Sequence, residues 1–411
     1  MKLAVIVNLY PPYIVGGNEM LAREVIEAFR GRGHTVHVIT GRGRNLPNDG
    51  FTHGILDLDL DRKEDTFLGG KQPTPADILR WHLYNHKSYL AVQRELRMIA
   101  PDLVVVWNLY MASMAPLIAT RRAGFPLVIH TADKWLLYGL KDIASLVWPS
   151  LKWKQGMVLL ARQFLQPLLY YLARPEPIIT ISDFIRRVYI KAGFNGANIE
   201  ALHLGVPMDL FSPDGQPRPT QGPLRFLYIG ALWEGKGPQV AVQALGRLMQ
   251  KPDLPPLHLD VYGQGAPSFL AYLQDVARQN GVEKHVTFHG FVERHQLAAV
   301  YRDHDILLFP SMWDEPFAAV PVEAMACGMA VVATTAGGTP EAITHDQTGL
   351  LVPPNDPQAL AEAVGRLAYD PQLRERLGRE AARVAREKWD FQVYVDRLED
   401  RYREFSMDSN R

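Results

Sequence analysis

The chain has 411 residues, which is too long for one ordinary hydrophobic core and predicts two or three domains. Forty-four basic residues balance 44 acidic ones, so a dedicated nucleic-acid-binding protein is disfavoured and we expect no nucleic-acid partner. The single cysteine, Cys327, excludes an intrachain disulfide framework and a cysteine-rich zinc site, while 47% hydrophobic residues indicate a globular protein.

The first half of the chain alternates short apolar runs with amphipathic stretches. A strand is predicted at 3–8 and a helix at 18–33, and further strands are predicted at 35–40, 102–108 and 125–131. Strand–helix–strand repeats at this spacing predict right-handed βαβ units and a parallel sheet. The first apolar run is too short for a signal-peptide core, so we expect a cytoplasmic protein, and we predict no membrane-spanning helix.

The stretch 212–223 is rich in proline and glycine, and we predict it to be a linker. After it the α/β pattern restarts, with strands predicted at 225–230, 257–263, 286–290, 305–311 and 330–335 and charged helices from Pro357 onwards.

The predicted fold is therefore α/β, with two doubly wound, Rossmann-like domains that face a central cleft. The first domain is expected at 1–211 and the second at 224–385, and we expect a C-terminal helix at 386–411 to cross back to the first domain. Ligands of open parallel sheets bind beyond the carboxyl ends of the strands, so the loops at those ends hold the candidate site residues.

The loop 228–237 of the second domain, YIGALWEGKG, combines flexible backbone with a positive charge. Gly230 ends a buried strand, and Lys236 lies between two glycines before a helix that is expected to begin near Pro238. A lysine beside the free amides of a helix N-terminus makes a site suited to a diphosphate. The alternative is an ordinary solvated loop lysine.

Two glutamates follow the strand predicted at 305–311, with seven residues between them. Glu315 lies in a loop, and Glu323 is expected in the first turn of a helix opened by Pro321 and ended by Gly328. Carboxylates accept paired hydrogen bonds from the vicinal hydroxyls of sugars. The alternative for Glu323 is that it only complements the helix dipole.

A second glycine turn precedes a helix at 336–343. Gly337 and Gly338 form the turn, Thr339 is the expected N-cap and Pro340 the expected first helical residue. This arrangement predicts a second anion-binding helix N-terminus.

In the first domain, Gly16 and Gly17 lie between the first strand and its helix, where bare backbone can approach a phosphate or a sugar. Their spacing does not match the dinucleotide fingerprint, and the acidic residue expected about 20 positions further on is missing, which disfavours a dehydrogenase.

Together these segments resemble the retaining, nucleotide-sugar-dependent glycosyltransferases of the GT-B fold, and in particular the group that builds polysaccharides, glycolipids and sucrose-type products. The resemblance covers most of the chain in the right order. It rests on PPYIVGG, RGHTVHV, TISDFIRRVYIKAGF and LGVPMDLF in the first half, and on YIGALWEGKG, VYGQG, FHGFV, the pair Glu315 and Glu323, and GGTPE in the second.

The resemblance implies that the first domain serves the acceptor and the second the nucleotide-sugar donor. Lys236 would contact the donor diphosphate, Glu323 would accept the ribose hydroxyls, and Glu315 would hold the donor sugar together with the amides of Phe317 and Ala318. The remaining implied contacts are Gly230, Gly263, Gly290, Phe291, Gly338 and Thr339 for the donor, and Gly16 and Gly17 for the transferred sugar and acceptor. The resemblance implies no metal and no cofactor, only a UDP- or GDP-sugar as co-substrate.

The sequence departs from the family pattern at two places that bear on catalysis. Ala231 occupies the position where the family often has a second diphosphate-binding arginine. Ala132 and Asp133 occupy the register of a frequent His-Asp pair, with His130 two residues earlier on the same strand face. Asp133, Lys236 and Glu315 are therefore expected catalytic residues, while His130 is either a fourth or a packed core histidine.

Residues 141–175 interleave basic and aromatic side chains. Two interpretations stay open, namely peripheral contact with the inner face of a membrane and a helical subdomain with a solvated basic face. The leading functional prediction is transfer of a sugar to a glycan, lipid-linked or small-molecule acceptor. A nucleotide-sugar epimerase and a non-catalytic sugar-nucleotide-binding protein are the alternatives, and the oligomeric state is left unassigned.

Overall fold

The computed structural model describes residues 1–14, 16–61, 80–81, 84–138, 168, 170–213 and 223–408. The chain divides into two compact units, each discontinuous in sequence. The first unit contains Met1–Ile181, Ile185–Leu202 and Val395–Arg411, and the second contains Ser182–Phe184 and His203–Tyr394. Residues 214–222, most of the predicted linker, lie outside the described residues.

The first unit is built on a parallel sheet. Its strands are β1 Lys2–Val7, β2 Thr35–Arg42, β3 Thr52–Asp59, β4 Leu103–Asn108, β5 Leu127–Thr131, β6 Ile178–Thr180 and β7 Ile199–Ala201. They form one seven-stranded sheet in the order β3-β2-β1-β4-β5-β6-β7. The helices between them are α1 Gly17–Gly31, α2 His86–Ile99, α3 Ala115–Ala123, α4 Trp135–Tyr138 and α5 Asp183–Lys191.

The second unit repeats this architecture. Its strands are β8 Leu224–Ile229, β9 Leu257–Tyr262, β10 Val286–Gly290, β11 Ile306–Phe309, β12 Ala330–Thr334 and β13 Leu350–Val352. They pair in parallel in the order β10-β9-β8-β11-β12-β13. Its helices are α6 Pro238–Leu248, α7 Pro267–Gln279, α8 Arg294–Arg302, α9 Ala319–Ala326, α10 Thr339–Ala342, α11 Pro357–Tyr369 and α12 Pro371–Lys388. The last helix, α13 Phe391–Asp408, belongs to the first unit from Val395 onwards.

Strand order fixes where a ligand can bind in each sheet. In both units the direction of winding reverses beside the first strand, between β1 and β4 and between β8 and β11. The loops after these two strands diverge to opposite faces of the sheet, and the crevice between them is the usual ligand site of doubly wound folds. In the second unit these are the loops that carry Lys236 and Glu315.

The core of the second unit lies between the sheet and its covering helices. Phe226, Leu259 and Val332 on the strands and Leu245 and Leu360 on α6 and α11 are buried in one cluster. Both faces of a parallel sheet are covered by helices, so its strands read as continuous apolar runs rather than alternating ones.

The predicted α/β fold with two Rossmann-like sheets is confirmed. Each strand predicted from an apolar run is present, although its ends differ by one or two residues in most cases. None of the helices in the described part of the chain is both long enough and apolar enough to cross a membrane.

Two predicted helix starts are wrong. Helix α9 begins at Ala319 rather than at Pro321, so Glu323 lies beyond the first turn. Proline is tolerated there because the first amides of a helix have no intrahelical acceptor. Gly338 rather than Thr339 is the N-cap of α10, and Pro340 is its second residue.

Candidate functional site

The loops after β8 and β11 are tied together through one backbone carbonyl. Gly235 O accepts hydrogen bonds from Met312 N at 2.8 Å and from Trp313 N at 2.9 Å. The two loops that flank the reversal of winding are therefore fixed relative to each other by main-chain bonds.

These tied loops bring Lys236 and Glu315 together. Lys236 Nζ lies 2.7 and 2.8 Å from the two carboxylate oxygens of Glu315. Ser311 Oγ donates to Glu315 Oε1 at 2.6 Å. The Glu315 side chain is 5% exposed and that of Lys236 is 26% exposed, so a buried carboxylate is neutralised by an ammonium that still reaches solvent. Charge-assisted contacts of this kind are among the stronger hydrogen bonds of proteins.

The N-terminus of α6 lies next to this ion pair. The helix begins at Pro238, as predicted, with Gly237 before it at φ 71°. A Cβ at Gly237 would lie 2.0 Å from Pro310 O, so only glycine permits this approach of the helix start to the end of β11. Lys236 thus adjoins the first amides of α6.

The glycine turn before α10 packs against the backbone of Glu315. Gly338 N donates to Glu315 O at 2.7 Å. Gly337 has φ 59°, and a Cβ there would lie 2.3 Å from both N and O of Glu315. The neighbouring Thr339 Oγ1 is buried and has no hydrogen-bond partner among the described residues. This turn therefore fixes the loop that carries the carboxylate, and Thr339 offers a polar atom beside it.

Three glycines meet at the ends of β8, β9 and β10. Gly263 N donates to Gly290 O at 2.7 Å, and a Cβ on Gly263 would lie 1.8 Å from Gly230 O. Phe291, directly after Gly290, is 61% exposed. The strand ends at which the donor was expected to bind are thus lined by bare backbone with one exposed ring beside it.

Glu323 contacts a different pair of side chains. Tyr301 Oη donates to Glu323 Oε2 at 2.9 Å, and Arg294 Nη1 lies 3.3 Å from Oε1. The carboxylate is buried, and burial followed by the charge of Glu323 raises the pKa of Tyr301 well above its ordinary value. Two side chains of α8 thus hold the carboxylate of Glu323, which lies on α9, in place.

Phe317 and Ala318 lead from the Glu315 loop into α9. The Phe317 ring is buried and lies 5.5 Å from the Trp389 ring, and Ala318 is the N-cap of the helix. Burial of this ring holds the backbone of both residues at the helix start, where the first amides lack intrahelical acceptors.

A carboxylate on α10 binds backbone amides within the second unit. Glu341 Oε2 accepts from Asp183 N at 2.8 Å and lies 2.9 Å from His203 Nε2. Burial by itself would raise the pKa of Glu341. The hydrogen bonds from His203 and from the amides of Asp183 and Phe184 together outweigh burial, so the pKa is lowered overall. Asp183, His203 and Glu341 are the group of possible metal ligands in the described part of the chain. The amides of Asp183 and Phe184 thus have Glu341 as their acceptor, which accounts for this carboxylate without a metal ion.

In the first unit, Gly16 and Gly17 open α1 directly after the β1 loop. Gly16 N donates to Glu19 Oε2 at 2.8 Å. A Cβ on either glycine would meet nothing within 4 Å, so the packing of the protein does not itself require glycine here. The space beside this backbone is open, as a ligand-binding turn requires.

Asp133 lies at the carboxyl end of β5 beside polar groups from neighbouring loops. Its carboxylate accepts from Asn108 Nδ2 at 3.2 Å and from Trp135 N at 2.8 Å. Burial, with a smaller contribution from the charge of Glu19, raises its pKa from 3.8 to about 6. Asp133 can therefore carry or release a proton near neutral pH.

His130 is the packed core histidine of the two alternatives. It is 0% exposed, its Nδ1 lies 2.9 Å from Tyr402 Oη, and its ring centroid is 4.1 Å from that of Trp107. Burial lowers its pKa to about 3. The catalytic expectation for His130 is corrected, because no edge of the ring is open to a substrate.

The sequence analysis did not identify the side chains that bind the two predicted glutamates. Ser311, Arg294 and Tyr301 were not singled out, although they bind Glu315 or Glu323. Arg294 and Tyr301 are seven positions apart, and this spacing could have indicated them because it places both on one face of α8.

Two family models match the chain. The model of the family "Glycosyl transferases group 1" matches residues 214–384, and that of "Glycosyltransferase Family 4" matches residues 15–210. A D-inositol 3-phosphate glycosyltransferase of Xylanimonas cellulosilytica is 36% identical over 47% of this chain and 50% of its own length. The chain thus spans about half the length of the curated relatives of this kind that it matches. A glycogen synthase of Mycobacterium tuberculosis is 25% identical over 96% of this chain and 92% of its own length.

Two solved structures share the whole fold. Sucrose-phosphate synthase from Thermosynechococcus elongatus has a TM-score of 0.72 at 19% identity and covers 98% of both chains. Anabaena HepE, solved in complex with UDP, has a TM-score of 0.69 at 19% identity and covers 98% of this chain and 100% of its own.

The two Rossmann-like parallel sheets are those of the GT-B fold. Residues 214–384 thus resemble the group 1 glycosyl transferases, and residues 15–210 resemble Glycosyltransferase Family 4.

Proposed function

We propose that this protein is a retaining glycosyltransferase that moves a sugar from a UDP- or GDP-sugar to a glycan, lipid-linked or small-molecule acceptor. The observation that carries the proposal is the ammonium of Lys236, held by Glu315 next to the first amides of α6. Relatives named as glycosyltransferases support it, as do the HepE structures solved with UDP and UDP-glucose.

Lys236 would bind the diphosphate of the donor. An ammonium has three protons, of which the contact with Glu315 uses up to two. The third, with the amides that open α6, can be donated to phosphate oxygens. Negative charge grows on the diphosphate as it leaves, so donors fixed in advance stabilise the transition state more than the ground state. No cofactor other than the donor is part of this proposal.

The two glutamates would bind the two sugars of the donor. A carboxylate has about four acceptor positions. Glu315 therefore retains capacity for hydroxyls of the transferred sugar, and Glu323 can accept ribose hydroxyls in addition to the bond from Tyr301. Contact of the sugar with Phe317 and Ala318 would be through their backbone amides.

The reacting carbon becomes oxocarbenium-like as the diphosphate departs. In the first unit, Asp133 is the residue proposed to contact the acceptor hydroxyl, because its carboxyl has a pKa of about 6. Gly16 and Gly17 would leave room for the acceptor and the transferred sugar.

The proposal is tested first by thermal shift with UDP-, GDP- and ADP-sugars. A ligand that binds the native state raises the melting temperature, so we expect a shift with one UDP- or GDP-sugar and a smaller one in Lys236→Met. Proton NMR of the product would then show the same anomeric configuration as in the donor. Absence of any shift would refute donor binding, and an inverted product would refute retention.

The expected cytoplasmic location and the peripheral membrane contact through 141–175 also remain proposals. Residues 141–167 and 169 of that segment lie outside the described residues. Sedimentation with anionic liposomes at low and high salt tests the contact, because electrostatic binding to the bilayer is screened by salt. No binding at low salt would refute it.

A further inference from the structure

Two exposed tryptophans lie on the tied loops beside the Lys236–Glu315 pair. Trp233 is 41% exposed and Trp313 is 42% exposed, and their ring centroids are 5.5 Å apart at an interplanar angle of 68°. Trp233 lies three residues before Lys236, and Trp313 lies two residues before Glu315. The pair thus belongs to the same two loops as the proposed donor contacts.

The position of the Trp233 ring is built into the loop. A Cβ on Gly235 would lie 2.2 Å from two atoms of that ring, so the indole covers backbone that only glycine leaves free. Gly235 O also binds the amide of Trp313, so one residue positions both rings. Aromatic pairs with this edge-to-face geometry stabilise each other beyond the area that they bury.

Two exposed carboxylates accompany the rings. Glu234 follows Trp233 and Asp314 follows Trp313, and both are exposed. An apolar surface with a few polar groups at its edge is the usual composition of a small-molecule site. A pyranose ring matches it, since its C–H face is apolar and its equatorial hydroxyls donate to carboxylates.

We infer that Trp233, Trp313, Glu234 and Asp314 form a carbohydrate subsite that holds a hexopyranose ring of the acceptor. This inference rests on the proposed glycosyltransferase function. The acceptor rather than the donor is assigned to it because Lys236 and Glu315 already provide the proposed contacts to the diphosphate and the donor sugar.

The test is binding of the intact chain, in the presence of UDP, to an array of immobilised hexose-containing glycans. We expect binding to at least one glycan and an apparent Kd roughly tenfold or more weaker in Trp233→Ala and in Trp313→Ala, as for loss of an aromatic hot spot. Trp313→Phe should recover part of the loss. Tyr272→Ala, which removes another exposed ring, is the matched control and should bind normally.

A parallel thermal-shift measurement with the UDP- and GDP-sugars separates this subsite from the donor site. The tryptophan variants should keep the donor shift of the intact chain. Loss of both donor and glycan binding in these variants would overturn the acceptor assignment, as would glycan binding that is absent or unchanged. If the intact chain failed to bind any donor, the proposed function itself would fail.

Discussion

Replacing Lys236 by methionine should lower the stability of the folded protein and weaken binding at the proposed donor site. The substitution removes the charge but keeps most of the volume of the side chain. Glu315 is 5% exposed and would keep the hydrogen bond from Ser311. Its buried negative charge would no longer be balanced by an ammonium group. Breaking a fully buried ion pair costs about 3–5 kcal/mol. Because Lys236 is 26% exposed, solvent screens part of the interaction, and we expect a smaller cost of about 2–3 kcal/mol.

Such a loss is measurable by thermal denaturation. For a domain of this size, 1 kcal/mol changes the melting temperature by roughly 2–4 °C, so Lys236→Met should melt roughly 5–10 °C lower. In the double variant Lys236→Met with Glu315→Gln, the neutral amide no longer needs a counter-charge, and most of the loss should return. Lys284→Met, at an exposed lysine of the same unit, should melt like the intact chain.

Donor binding separates the two roles of the lysine. Isothermal titration with the preferred nucleotide sugar should show weak binding in both the single and the double variant, although only the single variant is destabilised. If the double variant melted no higher than the single one, the reasoning about the buried carboxylate would be refuted. If it bound the donor normally, the diphosphate role of Lys236 would be refuted.

Three further changes test other parts of the site. Glu323→Ala should raise the donor KM and lower stability by about 1–3 kcal/mol, since Tyr301 Oη loses its buried acceptor; an unchanged KM would contradict the ribose contact. Gly337→Ala should lower the melting temperature and kcat/KM more than Gly281→Ala, because both have positive φ but only Gly337 meets backbone; equal effects would show that the contact is unimportant. In the intact chain, the raised pKa of Asp133 should make the free energy of unfolding fall as the pH rises from about 4 to 6, and Asp133→Asn should remove this fall. In that range the folded intact chain binds a proton that the unfolded chain has released, so the variant should be more stable at pH 7, by at most about 3 kcal/mol, and a gain of the same size at pH 4 would contradict this.

The sheet architecture could be predicted because buried parallel strands leave a strong pattern. The strands β1, β4 and β8 have six residues each, of which five are apolar. The strands that were not predicted include β6, β7 and β13, which have three residues each. Three residues are too few to show any period, and these strands exist because an established neighbour pairs with them.

The sequence indicates which loops carry the site residues, but not which side chains contact each other. Glycines and charged residues at strand ends indicated Lys236 and Glu315, yet nothing in the spacing predicts that these two side chains bind each other. His130 shows the limit most clearly. Strand alternation permitted both a catalytic and a packed histidine, and the choice is made by Tyr402, which lies 272 positions further along the chain. Contacts at such separation depend on the folded packing and not on local pattern.

The meeting of Gly230, Gly263 and Gly290 has a consequence for engineering. A methyl group on Gly263 would overlap a neighbouring carbonyl, and Gly290 has φ 79°, a conformation that L-residues rarely adopt. Libraries that randomise this part of the second unit would therefore return mostly misfolded clones. Efforts to alter the proposed nucleotide preference would do better to vary an exposed position, such as Phe291, and to leave the three glycines unchanged.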